Sequence, residues 1–137
     1  MEKNIDLYTM EWEYKLKLNY KQLTSIWNSC YMTKYIMILK DKRKGTLTPD
    51  LLNQHIDHLR EQTLKGNIAL CGPFKDDDGA LQIIEVESRE VAESILKQDP
   101  FIREGYYRNY EILELIEANE NNNWLSEDSQ TKSNINK

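Results

Sequence analysis

The segment from residue 68 to residue 86 constrains the fold of this chain most, because it has the pattern of two strands joined by a tight turn. Residues 68–70 begin a short strand, and Pro73 favours a strand end or sheet edge because it cannot donate a backbone hydrogen bond. The turn at residues 75–79 contains three consecutive aspartates and ends in Gly79, and the apolar run 80–86 follows. This pattern predicts an antiparallel hairpin.

A helix is predicted on each side of this hairpin. Thr48 is a good N-cap and Pro49 suits the first helical position of the first helix. Ser88 caps the second helix, which should end at Asp99 because Pro100 disfavours helical angles in the residue before it. The predicted buried stripes are Leu52, Ile56, Leu59 and Thr63 on the first helix and Val91, Ala92, Ile95 and Leu96 on the second.

Two further strands are predicted outside the helices, at residues 34–40 and 106–116. The complete order is therefore strand, helix, strand, strand, helix, strand. This is the split βαβ, ferredoxin-like order, βαββαβ. Because crossovers of this kind are right-handed, both helices should cover one face of a four-stranded antiparallel sheet, which is an α+β fold.

Three of the predicted strands carry apolar residues at both odd and even positions, namely 34–40, 80–86 and 106–116. A strand with one solvated face would alternate between apolar and polar residues. Leaving the second face bare would expose a larger apolar patch than a monomer tolerates. We therefore expect a two-fold homodimer that packs sheet against sheet, and cover by residues 1–31 is the alternative.

The length of 137 residues indicates one domain with extensions. Residues 1–31 form an uncertain N-terminal extension, which could be an added strand, an appended arm or a leader that precedes Met32. Residues 32–116 form the predicted domain. Residues 117–137 are rich in Asn, Ser, Glu and Lys, cannot bury a core and are predicted to be a flexible tail.

Composition excludes several classes of protein. The net charge of −5 argues against a nucleic-acid binder, which would need a basic face. The sequence contains neither a run of about 20 apolar residues, as a membrane span requires, nor the apolar segment of a secretory signal. The two cysteines, Cys30 and Cys71, lack CxxC spacing, which favours neither zinc nor a disulfide and suits a reduced, cytoplasmic setting. We expect Cys71 to be a small buried hydrophobe.

Two polar residues, His55 and Asp99, stand at opposite ends of the segment from residue 55 to residue 101. His55 lies at the border of the first helix's stripe, whereas His58 lies well off it and should be exposed. A histidine at a helix border is often satisfied by water or backbone, and Asp99 before a proline is common chemistry for a helix end. The aspartates at 76–78 have the pattern of a solvated turn and lack the spacing of a calcium loop. His55 and His58 alone do not make a zinc site.

The spacing of several residues resembles a known family, the YCII-related family, over residues 34–116. The residues that carry the resemblance are His55, Gly72-Pro73-Phe74, Gly79-Ala80, Asp99-Pro100-Phe101 and Gly105. The resemblance implies a dimeric α+β barrel with a ferredoxin-like fold. By position it implies that His55 and Asp99 form an active-site dyad and that Gly72, Pro73, Phe74 and Phe101 surround a substrate pocket. His58 stands where the family often has an aromatic or apolar residue.

The family includes an enzyme that removes chloride from a chlorinated hydroxyquinol, and its superfamily includes isomerases and monooxygenases. A His–Asp pair supplies general acid–base catalysis, since the carboxylate fixes the imidazole tautomer and the imidazole moves a proton. We therefore predict a lyase, isomerase or dehalogenase step on a small cyclic or hydroxylated substrate, with neither cofactor nor metal. The alternatives are a non-catalytic dimeric module with a ligand-binding or regulatory role, and a cofactor-free or haem-binding monooxygenase.

Overall fold

The computed structural model describes residues 32–136. The elements of the domain are β1 (Thr33–Lys42), α1 (Pro49–Leu64), β2 (Ile68–Pro73), β3 (Ala80–Val86), α2 (Arg89–Gln98), α3 (Pro100–Arg103) and β4 (Tyr107–Leu115). A 3₁₀ helix (Glu120–Leu125) and α4 (Ser129–Asn134) follow. The predictions for residues 1–31 fall outside the described residues.

The four strands form one sheet in the order β2-β3-β1-β4, with every neighbouring pair antiparallel. β1 lies in the centre, so that Met37 is opposite Gln82 of β3 and Ile112 of β4. With α1 and α2 in the two crossovers, this is the predicted α+β, ferredoxin-like βαββαβ fold, which is confirmed.

The helix starts and the hairpin follow from local chemistry. The Thr48 hydroxyl accepts the backbone N–H of Leu51 at 3.1 Å, and the Ser88 hydroxyl accepts that of Val91 at 3.2 Å. Both are the N-caps that the sequence predicts. The hairpin turn requires Gly79, because a Cβ at this position would lie 2.8 Å from the carbonyl oxygen of Leu39.

The core lies between the sheet and the helices. Every second residue of β1 and β3 points into it, as the burial of Tyr35, Met37 and Ile84 shows. The other buried apolar residues include Leu39 and Val86 of the sheet, Ala92, Ile95 and Leu96 of α2, and Phe101, Tyr106, Tyr107 and Ile112. Because burying one large apolar side chain contributes about 1.5–3 kcal/mol, this layer is the main source of stability.

The opposite face of the sheet is also apolar. Its half-buried or exposed side chains, which we call the open face, are Ile36, Ile38, Leu70, Leu81, Ile83, Leu113 and Leu115. The prediction that the strands are apolar on both faces is thus confirmed, whereas the dimer that would cover the open face is not tested by a single chain.

The predicted stripe of α1 is right at Leu59, which packs against the core, and wrong in phase at its two ends. Leu52 and Thr63 are exposed, whereas Leu51 packs against the core and Gln62 is buried. A polar residue can face inward here because the Gln62 side-chain oxygen accepts a hydrogen bond from the Asn67 side chain at 2.8 Å. Apolar periodicity alone therefore placed the inward face about one residue too far along the helix.

The segment after β4 has local helical structure without burial. Neither the 3₁₀ helix nor α4 contains a buried residue, and Trp124 is 67% exposed. Trp124 therefore does not pack into the core, and the flexibility of residues 117–137 stays a prediction. Within residues 32–136, no helix is both long enough and apolar enough to cross a membrane.

Candidate active site

Asp99 occupies the junction between α2 and α3. It ends α2, and its extended backbone (φ −63°, ψ 122°) and following proline begin α3. The Asp99 Oδ1 atom accepts the backbone N–H of Phe101 at 2.9 Å, which caps α3. Asp99 therefore has the helix-end role that the sequence suggests. This role involves Oδ1 and leaves Oδ2 for another donor, and the residue is completely buried (0% exposed).

Two further donors reach the same carboxylate from distant parts of the chain. His55 of α1 places Nδ1 2.7 Å from Asp99 Oδ1, and Gln82 of β3 donates from Nε2 to Asp99 Oδ2 at 2.8 Å. Donors from α1, β3 and the start of α3 therefore converge on one buried acceptor. The structure brings together His55 and Asp99, the two residues that the family resemblance pairs, while their catalytic role stays a proposal.

The ionisation of Asp99 determines which ring nitrogen of His55 is free. Burial acts to raise the pKa of Asp99, but the hydrogen bond and charge of His55, with the bonds from Phe101 and Gln82, outweigh it and leave the pKa below its usual value. The group is therefore an ionised carboxylate that only accepts hydrogen bonds. Nδ1 of His55 must carry the proton, and Nε2 of the neutral ring then keeps its lone pair.

The His55 ring is contacted on one face as well as at its edge. It stacks on Phe101 with ring centroids 3.6 Å apart and planes 5° apart. Phe101 in turn packs against Tyr106 at 4.6 Å and Tyr107 at 6.0 Å between centroids. The Asp99-Pro100-Phe101 triplet thus holds His55 in two ways, because Asp99 binds the ring edge and Phe101 covers one ring face.

A cavity of about 340 Å³ opens beside this ring. His55 and three apolar residues of α1, namely Leu52, Ile56 and Leu59, form one wall. This explains why Leu52 is not in the core. The sheet side includes Gly72, Pro73 and Gln82, and Phe101 and Tyr107 also line the cavity. Of the described residues, no Lys or Arg lines it.

Of the predicted pocket residues, Gly72, Pro73 and Phe101 line this cavity, and Phe74 does not. Phe74 follows the last residue of β2, so its side chain leaves the sheet and packs over the hairpin turn. There its ring edge lies 3.2 Å from the position that a Cβ on Gly79 would take. Phe74 therefore lies outside the wall of this cavity, and its predicted place at a substrate pocket stays a prediction.

Cys71 is another correction, since it is exposed rather than buried. It lies on β2, which is an edge strand of the sheet formed by residues 32–136, and it lines the cavity. Partial burial, with the charge of Asp99, raises the pKa of the Cys71 thiol. The thiol is therefore protonated and weakly nucleophilic at neutral pH.

His58 is also wrongly predicted, because it is half-buried and not exposed. It lies seven residues after Leu51, on the inward face of α1, as the corrected phase of the helix requires. Its Nε2 atom is buried and has no hydrogen-bond partner among residues 32–136. Burial lowers the pKa of His58, against the opposing charge of Asp99, so its ring is neutral at pH 7.

Gln82 and Tyr107 are among the site residues that sequence reasoning missed. Gln82 could have been found, because it is the one polar residue at the even positions of β3 (80, 82, 84 and 86), all of which are buried. Tyr107 could not have been found in this way, because nothing in the sequence distinguishes it except the adjacent Tyr106. Burial raises the pKa of Tyr107 to about 12, so its hydroxyl is neutral.

Across residues 32–136, no cluster of three or more His, Cys, Asp or Glu side chains could hold a metal ion.

The family model of the YCII-related domain matches residues 33–116, more than half of the chain. The chain belongs to the YCII-related family. The family resemblance that the sequence suggests is therefore confirmed, and the matched region of this YCII-related chain contains every residue of the candidate site. A search of curated proteins gives no significant match.

Among the solved structures that are similar to this YCII-related chain is an enzyme complex. It is the 5-chloro-2-hydroxyhydroquinone dehydrochlorinase from Burkholderia phenoliruptrix AC1100, in complex with 2,5-dihydroxybenzoquinone. The two chains are 24% identical, and the match covers 64% of this chain and 97% of the other, with a TM-score of 0.47.

Proposed function

We propose that this YCII-related protein is an enzyme that acts on a small molecule and uses His55 and Asp99 as a dyad for general acid–base chemistry. The observation that carries the proposal is the 2.7 Å contact between His55 Nδ1 and the buried carboxylate of Asp99, beside a cavity that His55 lines. A histidine whose second nitrogen is held by a buried carboxylate is oriented for proton transfer and kept in one tautomer.

The proposed reaction begins at Nε2 of His55. Because Asp99 holds the proton on Nδ1, Nε2 takes a proton from the substrate, and the resulting imidazolium is stabilised by the carboxylate. In an isomerisation the same proton returns to a different atom of the substrate. In an elimination, such as loss of a halide, the electron pair of the broken bond expels the leaving group. Neither route requires a cofactor.

The cavity supports a small cyclic or hydroxylated substrate. Its volume of about 340 Å³ lies at the lower end of the range for small-molecule sites, about 300–1,000 Å³. Its walls are mainly aliphatic and aromatic, with few polar side chains, namely His55, Cys71, Gln82 and Tyr107. Such a site suits a compact ring with few polar substituents rather than a long or highly charged molecule.

The test is a turnover screen with small hydroxylated aromatic compounds and lactones, followed by three variants on each hit. We expect His55→Gln to lower kcat by about 10²–10⁴, the usual contribution of a positioned acid–base group. Asp99→Asn should lower kcat while the protein stays folded. His58→Gln is the matched control, since His58 lies on the same helix outside the cavity wall, and it should keep kcat. Equal rates in wild type and His55→Gln would contradict the proposal.

A second candidate function is a non-catalytic module that binds a small molecule. It is favoured by the weak reactivity of the other titratable groups in the wall, because the pKa values of Cys71 and Tyr107 are both raised. His55 alone would have to serve as both base and acid. Saturable binding of a compound that the protein never converts, with binding unchanged in Asp99→Asn, would favour this candidate.

We further propose that the protein is a homodimer in which two open faces pack together. The support is the set of apolar side chains that the sheet leaves half-buried or exposed on this face. Sedimentation at micromolar concentration should show a dimer, and Ile36→Glu, near the centre of the face, should yield a monomer. A wild-type monomer would contradict the dimer and favour the alternative cover by residues 1–31.

We also propose how the chain is divided into a domain and extensions, and that the protein is cytoplasmic. Residues 32–116 are the domain, residues 1–31 an extension and residues 117–137 a flexible tail, in a cytoplasmic protein. Limited proteolysis should cut on both sides of residues 32–116 before it cuts within them. Early cleavage inside the domain would contradict the division.

A further inference from the structure

We infer that Gln82 selects ligands in this cavity, because its Oε1 atom accepts a hydrogen bond from a hydroxyl or N–H group of the bound molecule. The inference rests on the cavity being the proposed small-molecule site and adds a residue that determines specificity. Three observations carry it: the fixed orientation of the amide, the unpaired buried oxygen, and the position of Gln82 in the cavity wall.

The orientation of the Gln82 amide is fixed by Asp99. Asp99 is ionised and accepts only, so the group that lies 2.8 Å from its Oδ2 must be the NH₂ end of the amide. Turning the amide over would place a carbonyl oxygen against a carboxylate oxygen and lose the bond. Oε1 is therefore the end of Gln82 that is free to accept from elsewhere.

That oxygen has no hydrogen-bond partner among the described residues, although Gln82 is only 2% exposed. Buried polar atoms in folded proteins are almost always hydrogen-bonded, so an unpaired one requires an explanation. Gln62, which is also buried, has no such deficit, because its Oε1 accepts from the Asn67 side chain at 2.8 Å. The difference indicates that the partner of Gln82 comes from outside the described chain.

The cavity is the place from which such a partner can come. Gln82 lines it, together with His55 on the opposite helix. A ligand group that donates to Gln82 Oε1 would thus be bound in the same cavity as the ring whose Nε2 is the proposed base. The amide links the two functions, because its NH₂ end positions Asp99 and its oxygen binds the ligand.

The surroundings restrict the chemistry of the ligand. Among the described residues, the wall has no Lys or Arg, and Asp99 behind it is negatively charged. An anionic oxygen would therefore be repelled, and it could not donate to Oε1 in any case. The site favours a neutral, largely apolar molecule with at least one O–H or N–H donor. A site built around a buried acceptor rejects an analogue that lacks the donor.

The test uses phenol and toluene, which have nearly the same shape and differ in one donor. Their dissociation constants are measured by NMR titration at pH 7 with wild type, Gln82→Met and Gln62→Met. We expect the ratio of phenol affinity to toluene affinity to fall about tenfold in Gln82→Met, which corresponds to about 1.4 kcal/mol. Gln62→Met, the same substitution at a buried glutamine outside the cavity wall, should leave the ratio unchanged.

An unchanged ratio of phenol affinity to toluene affinity in Gln82→Met would overturn the inference. A wild-type protein that binds neither phenol nor toluene would also overturn it. If Gln82→Met does not fold, the ¹³Cδ resonance of Gln82 in wild type decides the matter: it should shift with phenol and not with toluene, and equal behaviour would overturn the inference. A reduced ratio without any His55-dependent turnover would remove only the proposed catalysis. Turnover with an unchanged ratio would remove only the role of Gln82.

Discussion

The two histidines of α1 lie one helical turn apart in very different surroundings. His55 donates to Asp99, stacks on Phe101 and lines the cavity, and its side chain is 13% exposed. His58 is half-buried with an Nε2 atom that has no partner among residues 32–136. Burial is thus common to both. The two histidines differ in their partners. His55, the candidate catalytic group, is contacted by residues from distant parts of the chain, and the Nε2 atom of His58 has no such partner among residues 32–136.

The largest effect should come from Asp99, on which the surroundings of His55 depend. Asp99→Ala removes the cap of α3 and leaves the donors of His55 and Gln82 buried without an acceptor. Because breaking a buried charged network usually costs about 3–5 kcal/mol, we expect a loss of that size in the free energy of unfolding. Asp78→Ala, in the exposed hairpin turn, is the control and should cost less than about 1 kcal/mol. Equal losses in urea denaturation would contradict the account.

Replacing each histidine by leucine compares the two directly. His55→Leu leaves Asp99 with one donor fewer, which should lower the free energy of unfolding by about 1–3 kcal/mol. His58→Leu removes a buried polar atom that has no partner in the described chain, so it should be neutral or stabilising. Urea denaturation of both variants measures the difference. A loss in His58→Leu as large as that in His55→Leu would remove the distinction between the two sites.

The pH dependence of stability sharpens the comparison further. Burial lowers the pKa of His58 in the folded protein below the ordinary value of 6.5, so protons bind the unfolded chain more readily. The contribution of neutral His58 is therefore present above pH 6.5 and lost as pH falls through the folded pKa. We expect wild type to lose more stability than His58→Leu between pH 7 and pH 5. Equal losses in the two proteins would show that His58 does not titrate in this way.

The smallest effect is expected outside the domain. Residues 126–137 include no buried side chain among those described, so their removal should change Tm by less than about 2 °C. Differential scanning calorimetry of the shortened chain against full length measures this. A large decrease in Tm would show that the tail docks on the domain.

The fold was predictable from sequence because its signals are local. The caps at Thr48 and Ser88, the glycine of the hairpin turn and the apolar run of β3 each depend on neighbouring residues. Details of the site were less accessible. The phase of α1 was wrong because Gln62 is buried with a polar partner and Leu52 faces a cavity. Cys71 was misplaced because residue type does not reveal an edge strand.

The contact between His55 and Asp99 could be anticipated only through the family resemblance, since 44 residues separate them. The third member of the network, Gln82, was missed although its pattern was visible. A glutamine at a buried position of a strand is a polar residue that must have a partner. Asking where that partner lies would have directed attention from β3 to the end of α2.

The most direct test of the central claim is ¹⁵N NMR of the two imidazole rings at a pH where both are neutral. In wild type, His55 should be the tautomer that carries its proton on Nδ1, held by the Asp99 carboxylate. In Asp99→Asn, which keeps the size of the side chain but not its charge, His55 should lose this preference while the signals of His58 stay nearly unchanged. A His55 ring protonated on Nε2 in wild type, or a tautomer unmoved by Asp99→Asn, would contradict the account.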